Sequence, residues 1–174
     1  MIISVSGVEP KIHDSCYVAD TAVVSGDVSV NEYSSIWFNT VVRGDINPVY
    51  IGQNSNIQDN CTVHVSTKYS TKIGDNTVVG HNAVIHACSI GNGVLVGMGT
   101  TILDGAIIGD HVVVGAGTLI PPGKVVEDYS VVIGNPYKVI RKYNKDDEKM
   151  IKGIIFRYSK WAKIYQKTAK EVSK

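Results

Sequence analysis

At 174 residues the chain has the length of one domain with a sizeable core, and its formal net charge is only +1. With no basic block outside the C-terminus, nucleic acid is not an implied partner, and no apolar run approaches the roughly 20 residues of a membrane span. Three cysteines without paired spacing and no signal-like N-terminus point to reduced thiols and a cytoplasmic protein.

From Ile12 onward an aliphatic residue recurs every six positions: Ile12, Val18, Val24, Val30, Ile36 and Val42. After a three-residue insertion come Ile51, Ile57 and Val63; after a four-residue insertion, Ile73, Val79 and Ile85; after a shortened step, Ile90. Val96, Ile102, Ile108, Val114, Ile120, Val126 and Val132 then follow without interruption. The fourth position of the unit is mostly Gly, Asn or Asp (Asp27, Asn39, Asp45, Asn54, Asn60, Asn76, Asn82, Gly93, Gly99 and their successors), the residues that tolerate a left-handed corner. The fifth is small, as at Ser55, Cys61, Thr77, Ala83 and Ala106, and is expected to face inward. A short strand and a tight corner every six residues make one side of a triangular parallel β-helix. The pattern predicts about 6.7 coils, roughly 32 Å in length at the spacing of neighbouring strands. The β-helix domain is expected over residues 1–142 and a C-terminal amphipathic helix over 143–174.

The repeat stops at Gly134-Asn135-Pro136, a turn-and-exit sequence. Asn144 is placed to cap the helix, and Asp146, Asp147 and Glu148 suit its positive end. Met150, Ile151, Ile154, Ile155, Tyr158, Trp161, Ala162 and Tyr165 recur at helical spacing and are expected to lie along the β-helix, leaving a solvated lysine face.

Three of the five histidines, His64, His81 and His86, fall within one stretch. Three imidazoles with an open fourth position are the ligand set of a catalytic zinc-type centre. With the sides lettered a, b and c from Ile12, Arg43, His64 and His86 are each the second residue of a side-c unit on successive coils, so they should point outward in a column about 4.8 Å per step. His81 is the third residue of a side-b unit, one coil above Asp59 and near a corner. It cannot easily reach side c of its own chain, but could reach side c of a neighbour in a cyclic trimer. Cys16 and Cys61 read as inward-facing, Cys88 as a corner residue, and His13 and His111 as surface.

Arg43-Gly44-Asp45, Asn56-Ile57-Gln58-Asp59-Asn60, His64 and Gly80-His81-Asn82-Ala83-Val84-Ile85-His86 together resemble the gamma-class carbonic anhydrases and their ferripyochelin-binding-like relatives, over residues about 10 to 142. The resemblance implies an all-β, left-handed parallel β-helix and a homotrimer whose metal is held by His64 and His86 of one subunit and His81 of the next. It implies an Arg43–Asp45 ion pair structuring the interface, with Gln58 beside the metal-bound water and Asn56 assisting it. The implied reaction is reversible hydration of CO2 to bicarbonate by a metal-bound hydroxide, with Zn2+ expected and Fe2+ or Co2+ as alternatives. Rival readings are a metal-dependent CoA-thioester hydrolase, a hexapeptide acyltransferase and a non-catalytic scaffold with a vestigial metal site. The chain departs from well-known members of the class at Ile46 and in the loop Ser66-Thr67-Lys68-Tyr69-Ser70-Thr71, where those proteins carry acidic residues associated with proton handling.

Overall fold

The structure is a computed structural model that describes residues 1–169. The repeat folds as a parallel β-solenoid of about seven turns with a single C-terminal helix. Every first-position aliphatic lies on a rung, and each pairs with its counterpart 17 to 22 residues away. Face c stacks Val24, Val42, Val63, Ile85, Ile102 and Ile120 in register. Face a stacks Ile12, Val30, Ile51, Ile73, Ile90, Ile108 and Val126. Face b stacks Val18, Ile36, Ile57, Val79, Val96, Val114 and Val132. These side chains meet along the axis and nearly all are fully buried. At about 1.5–3 kcal/mol for each buried Val or Ile, the inward column is the main favourable term of the fold.

Most fifth-position residues also face inward, beside the aliphatics, with Ile46 and Lys124 exposed instead. Three of their hydroxyls donate to a carbonyl of the next coil: Ser34 to Gly52, Thr40 to Gln58 and Ser55 to Gly74, at 2.6, 2.6 and 2.8 Å. A buried polar atom therefore costs little here, because the period delivers a partner to each. Most fourth-position residues adopt the left-handed backbone, among them Asn39, Asn54, Asn60, Asn76, Asn82 and His111. Tyr33 and Tyr129 do so as well, although neither type signals a corner.

Asp27 and Asp45 do not take the left-handed corner. Two long strands, Val23–Val30 and Val41–Ile51, run unbroken from face c to face a at those places. A register shift between Gly26 and Val28 takes up the bend. Two further rungs escaped the sequence pattern. Ile2–Ile3 pairs with Val24–Ser25 at the N-terminal end, and Lys138–Lys142 returns antiparallel along Ser130–Ile133.

The helix spans Lys145–Thr168, and Asn144 caps it by accepting from the backbone N–H groups of Asp146 and Asp147. Residues 170–174 of the expected helical domain lie outside the described residues. The helix covers face b, burying outward-facing Ser35, Asn56 and Val78. Trp37 packs edge-on against Tyr158 and Tyr165, with ring centroids 5.1 and 5.4 Å apart. Met150 and Trp161, read as part of the packed stripe, are exposed instead. Asp147 is buried and receives two hydrogen bonds from Arg141, at 2.6 and 2.8 Å. No helix among the described residues is long and apolar enough to cross a membrane.

Candidate metal centre

All three departures from the six-residue period fall where face c turns into face a, and Arg43, Asp45, His64, His86 and Asp104 gather there. His64 and His86 are register partners on adjacent rungs of face c. Their rings lie 5.2 Å apart between centroids, inclined at 57°. His64 Nδ1 faces His86 Nε2 at 3.2 Å. Each ring turns its other nitrogen to a carboxylate: His64 Nε2 to Asp45 Oδ1 at 3.0 Å, and His86 Nδ1 to Asp104 Oδ1 at 2.6 Å.

This arrangement has an electrostatic consequence. A carboxylate only accepts, so a neutral ring bonded to it carries its hydrogen on that side. The facing nitrogens, His64 Nδ1 and His86 Nε2, then both present lone pairs across a short gap. Two lone pairs repel unless a cation sits between them. Two nitrogens at about 2.05 Å from a tetrahedral ion are about 3.3 Å apart, close to the gap here. The donor set fits a borderline metal such as zinc.

Burial raises the Asp45 and Asp104 carboxyls. Hydrogen bonds outweigh it and hold both below the usual carboxylate range: from His64 and Arg43 at Asp45, and from His86 and Ser66 at Asp104. Arg43 closes its ion pair with Asp45 inside one chain. The pair was expected to structure the interface; what the chain shows is an ion pair within it that neutralises the carboxylate holding His64.

The other expected residues form a second group, on face b. Asp59 accepts from His81 Nδ1 at 2.8 Å, while the Tyr158 hydroxyl, from the helix, lies 3.2 Å from His81 Nε2. Burial, followed by the nearby Asp59 and Cys61, pushes the Tyr158 hydroxyl up to about 12, so it stays a donor. Gln58 is buried under the helix, and its amide donates to Asn56 Oδ1 at 3.1 Å. Asn56 Nδ2 is the buried side-chain nitrogen that lacks a partner among the described residues. An aromatic groove of about 400 Å3 opens beside Asp59, lined in part by Trp37, Phe38 and Trp161. Gln58 and Asn56 therefore lie with His81 on face b of the chain, whereas His64 and His86 lie on face c. Among the described residues, no three His, Cys, Asp or Glu side chains converge to hold an ion.

Comparisons with known proteins place the chain in a family. Residues 87–122 match the model for bacterial transferase hexapeptide (six repeats), and 48–87 the model for the hexapeptide repeat of succinyl-transferase. A "Probable carbonic anhydrase" from Methanocaldococcus jannaschii is 52% identical over 82% of this chain and 90% of its own. The chain belongs to the gamma-class carbonic anhydrase family. The mitochondrial gamma carbonic anhydrase 2 of Arabidopsis thaliana is 39% identical over 84% of this chain, which spans 55% of that longer protein. A Bacillus cereus crystal structure, provisionally assigned as an acetyltransferase, superposes with a TM-score of 0.94 at 42% identity, covering 95% of this chain and 96% of that one.

For this family member, the sequence pattern found the histidines but not all of what holds them. Asp104 went unnoticed because the column was followed only through second positions. It is the third residue of the face-c unit after His86, where the other face-c units carry Gly26, Gly44, Val65, Ala87 and Pro122. A carboxylate one coil beyond a ligand-type histidine was the available signal. Tyr158 had none, since only the docked helix brings it to His81. Cys88 is buried in the hydrophobic core, and burial pushes its thiol up to about 12. His13 is exposed beside Ser15, and His111 stacks on Tyr129 with ring centroids 4.9 Å apart, both away from the centre.

Proposed function

We propose that the chain is a metal-dependent carbonic anhydrase that hydrates CO2 reversibly to bicarbonate, at sites shared between the subunits of a homotrimer. The observation that carries this reading is the facing pair His64 Nδ1 and His86 Nε2 at 3.2 Å, with a carboxylate behind each ring. Those two histidines and His81 of an adjacent copy would hold the ion, with zinc expected and Fe2+ or Co2+ as alternatives. A divalent ion bound there supplies Lewis acidity, bringing the ionisation of water down towards neutral pH.

The chain's own residues do the rest. Asp45, Asp104 and Asp59 fix the three ring orientations. Arg43 keeps Asp45 ionised, so that His64 retains its acceptor. Gln58, locked by its bond to Asn56, keeps one amide orientation and is the group suited to orient the attacking water. Tyr158 occupies His81 Nε2 in the isolated chain, and must release that nitrogen when it becomes a ligand.

The reading is tested by measuring mass, metal content and CO2 hydration on the same preparation. A trimer with about one metal per chain is expected, and His81→Ala should strip metal as fully as His64→Ala. A monomer that keeps its full metal content without His81 would sink the shared site. The provisional assignment of the Bacillus cereus structure supports acetyl transfer as a second reading. Measurable acetyl-CoA binding with no hydration by a metallated trimer would favour it.

A further inference from the structure

Asp104 is the carboxylate whose presence the solenoid itself does not explain. On face a, the third-position carboxylates have a backbone role. Asp75 Oδ1 accepts from Gln53 N at 2.9 Å, Asp110 Oδ1 from Asn92 N at 2.7 Å, and Asp128 Oδ1 from Asp110 N at 2.8 Å. They form a ladder that ties each coil to the one before. Asp104 holds the same place on face c, yet the corner beside it is made by Gly105, whose φ is +67° and whose N–H bonds to Ala87 O at 2.7 Å. Its side chain turns to His86 Nδ1 at 2.6 Å. Among the described residues its ion pair is with that histidine and not with a lysine or arginine.

We propose that Asp104 is the positioning residue of the centre. Its carboxylate holds the hydrogen of His86 on Nδ1 and turns Nε2, as a lone-pair donor, toward His64. The inference rests on the metal-site reading above and deepens it, because a ring free to rotate or to change tautomer would present the wrong nitrogen half the time. Carboxylates behind ligating histidines act in this way generally, fixing tautomer and ring orientation. Asp45 does the equivalent for His64 and is also paired with Arg43; Asp104 also accepts from Ser66, and its one ion-pair partner is His86.

The corner is also held from the neighbouring loop. The ring of Tyr69 lies against Gly105, so close that a Cβ added there would come within 3.1 Å of it. Tyr69 N bonds to Ser66 Oγ at 3.3 Å, and Asn47 Nδ2 donates to Ser66 O at 2.6 Å. The loop that lacks acidic residues thus braces the turn from which Asp104 projects.

The test compares Asp104→Ala, Asp104→Asn and, as a control on the structural ladder, Asp110→Ala in the full chain. Co2+ affinity is measured by competition with a chelator, together with the visible spectrum of the Co2+ protein. The protonated nitrogen of His86 is identified by 15N NMR on metal-free protein. Asp104→Ala should weaken Co2+ binding roughly 10–100-fold and leave His86 a mixture of tautomers. Asp104→Asn keeps an accepting oxygen and should retain much of both. Asp110→Ala should lower the melting temperature without moving either. Parent-like Co2+ affinity and an unchanged His86 tautomer in Asp104→Ala would overturn the inference. Parent protein that binds no Co2+ would fail the metal reading instead, and the tautomer measurement would still decide the role of Asp104.

Discussion

At the corner between faces c and a, Gly26 and Gly44 set how closely successive coils can approach. A Cβ built on Gly44 would lie 2.3 Å from Asp27 O and 3.2 Å from Asn47 O, both backbone atoms that no rotamer change can move. Gly44 precedes Asp45, which holds His64, so the space is tied to the site. Gly44→Ala is expected to destabilise by roughly 1–3 kcal/mol and to weaken metal binding with it, as chemical denaturation and metal titration would show. Full metal affinity with lost stability would mean that Asp45 is held independently of this strand pairing. The histidines and Arg43 were legible in the sequence because a period of six puts each side chain on a face. Face and rung follow from counting. The carboxylates behind the rings were harder, because Asp59 and Asp104 sit at third positions, next to corners, where Asp also serves the backbone. Only the direction taken by the side chain separates Asp104 from Asp110.

At the scale of the element, the C-terminal helix is tied to the solenoid by one buried carboxylate. Hydrogen bonds from Arg141 hold the Asp147 carboxyl below its usual range against the opposing effect of burial, and the Asn144 backbone N–H assists at 2.9 Å. A depressed folded pKa contributes stability that is complete above the unfolded value, near 3.9, and disappears as pH falls through the lower folded value. The helix anchor should therefore be intact at neutral pH and weaken below about pH 4. Asp147→Asn is expected to cost roughly 1–3 kcal/mol at pH 7, with the gap from the parent narrowing at pH 3. Urea unfolding followed by tryptophan fluorescence at the two pH values measures this, and a gap independent of pH would exclude the carboxylate as its source. The cap and the acidic first turn of the helix were readable from Asn144 onward. Which face it covers was not, because helical spacing alone cannot say that Trp161 stays exposed while Tyr158 reaches His81.

Over the whole molecule, CO2 hydration leaves one proton per cycle to be carried away from the corner that carries His64 and His86. The carboxylates nearest the two rings, Asp45 and Asp104, are committed to hydrogen bonds that hold them below the usual range, which makes them weak proton acceptors at neutral pH. In the loop, Lys68 is raised by its hydrogen bond with Tyr69, so it is already protonated at neutral pH and accepts nothing. An efficient acceptor titrates near the working pH, and neither loop nor corner supplies one. Small buffer molecules must then take the proton. With imidazole-type buffers at fixed pH and ionic strength, kcat should rise with buffer concentration, while kcat/KM changes much less. Tyr69 packs against the Gly105 corner, next to Asp104, so Tyr69→Glu places a carboxylate within the same loop and should flatten the buffer dependence. Fast turnover in dilute buffer, unaffected by added imidazole, would reveal an internal acceptor elsewhere, and the aromatic groove beside Asp59 and His81 would be the next place to test by mutation.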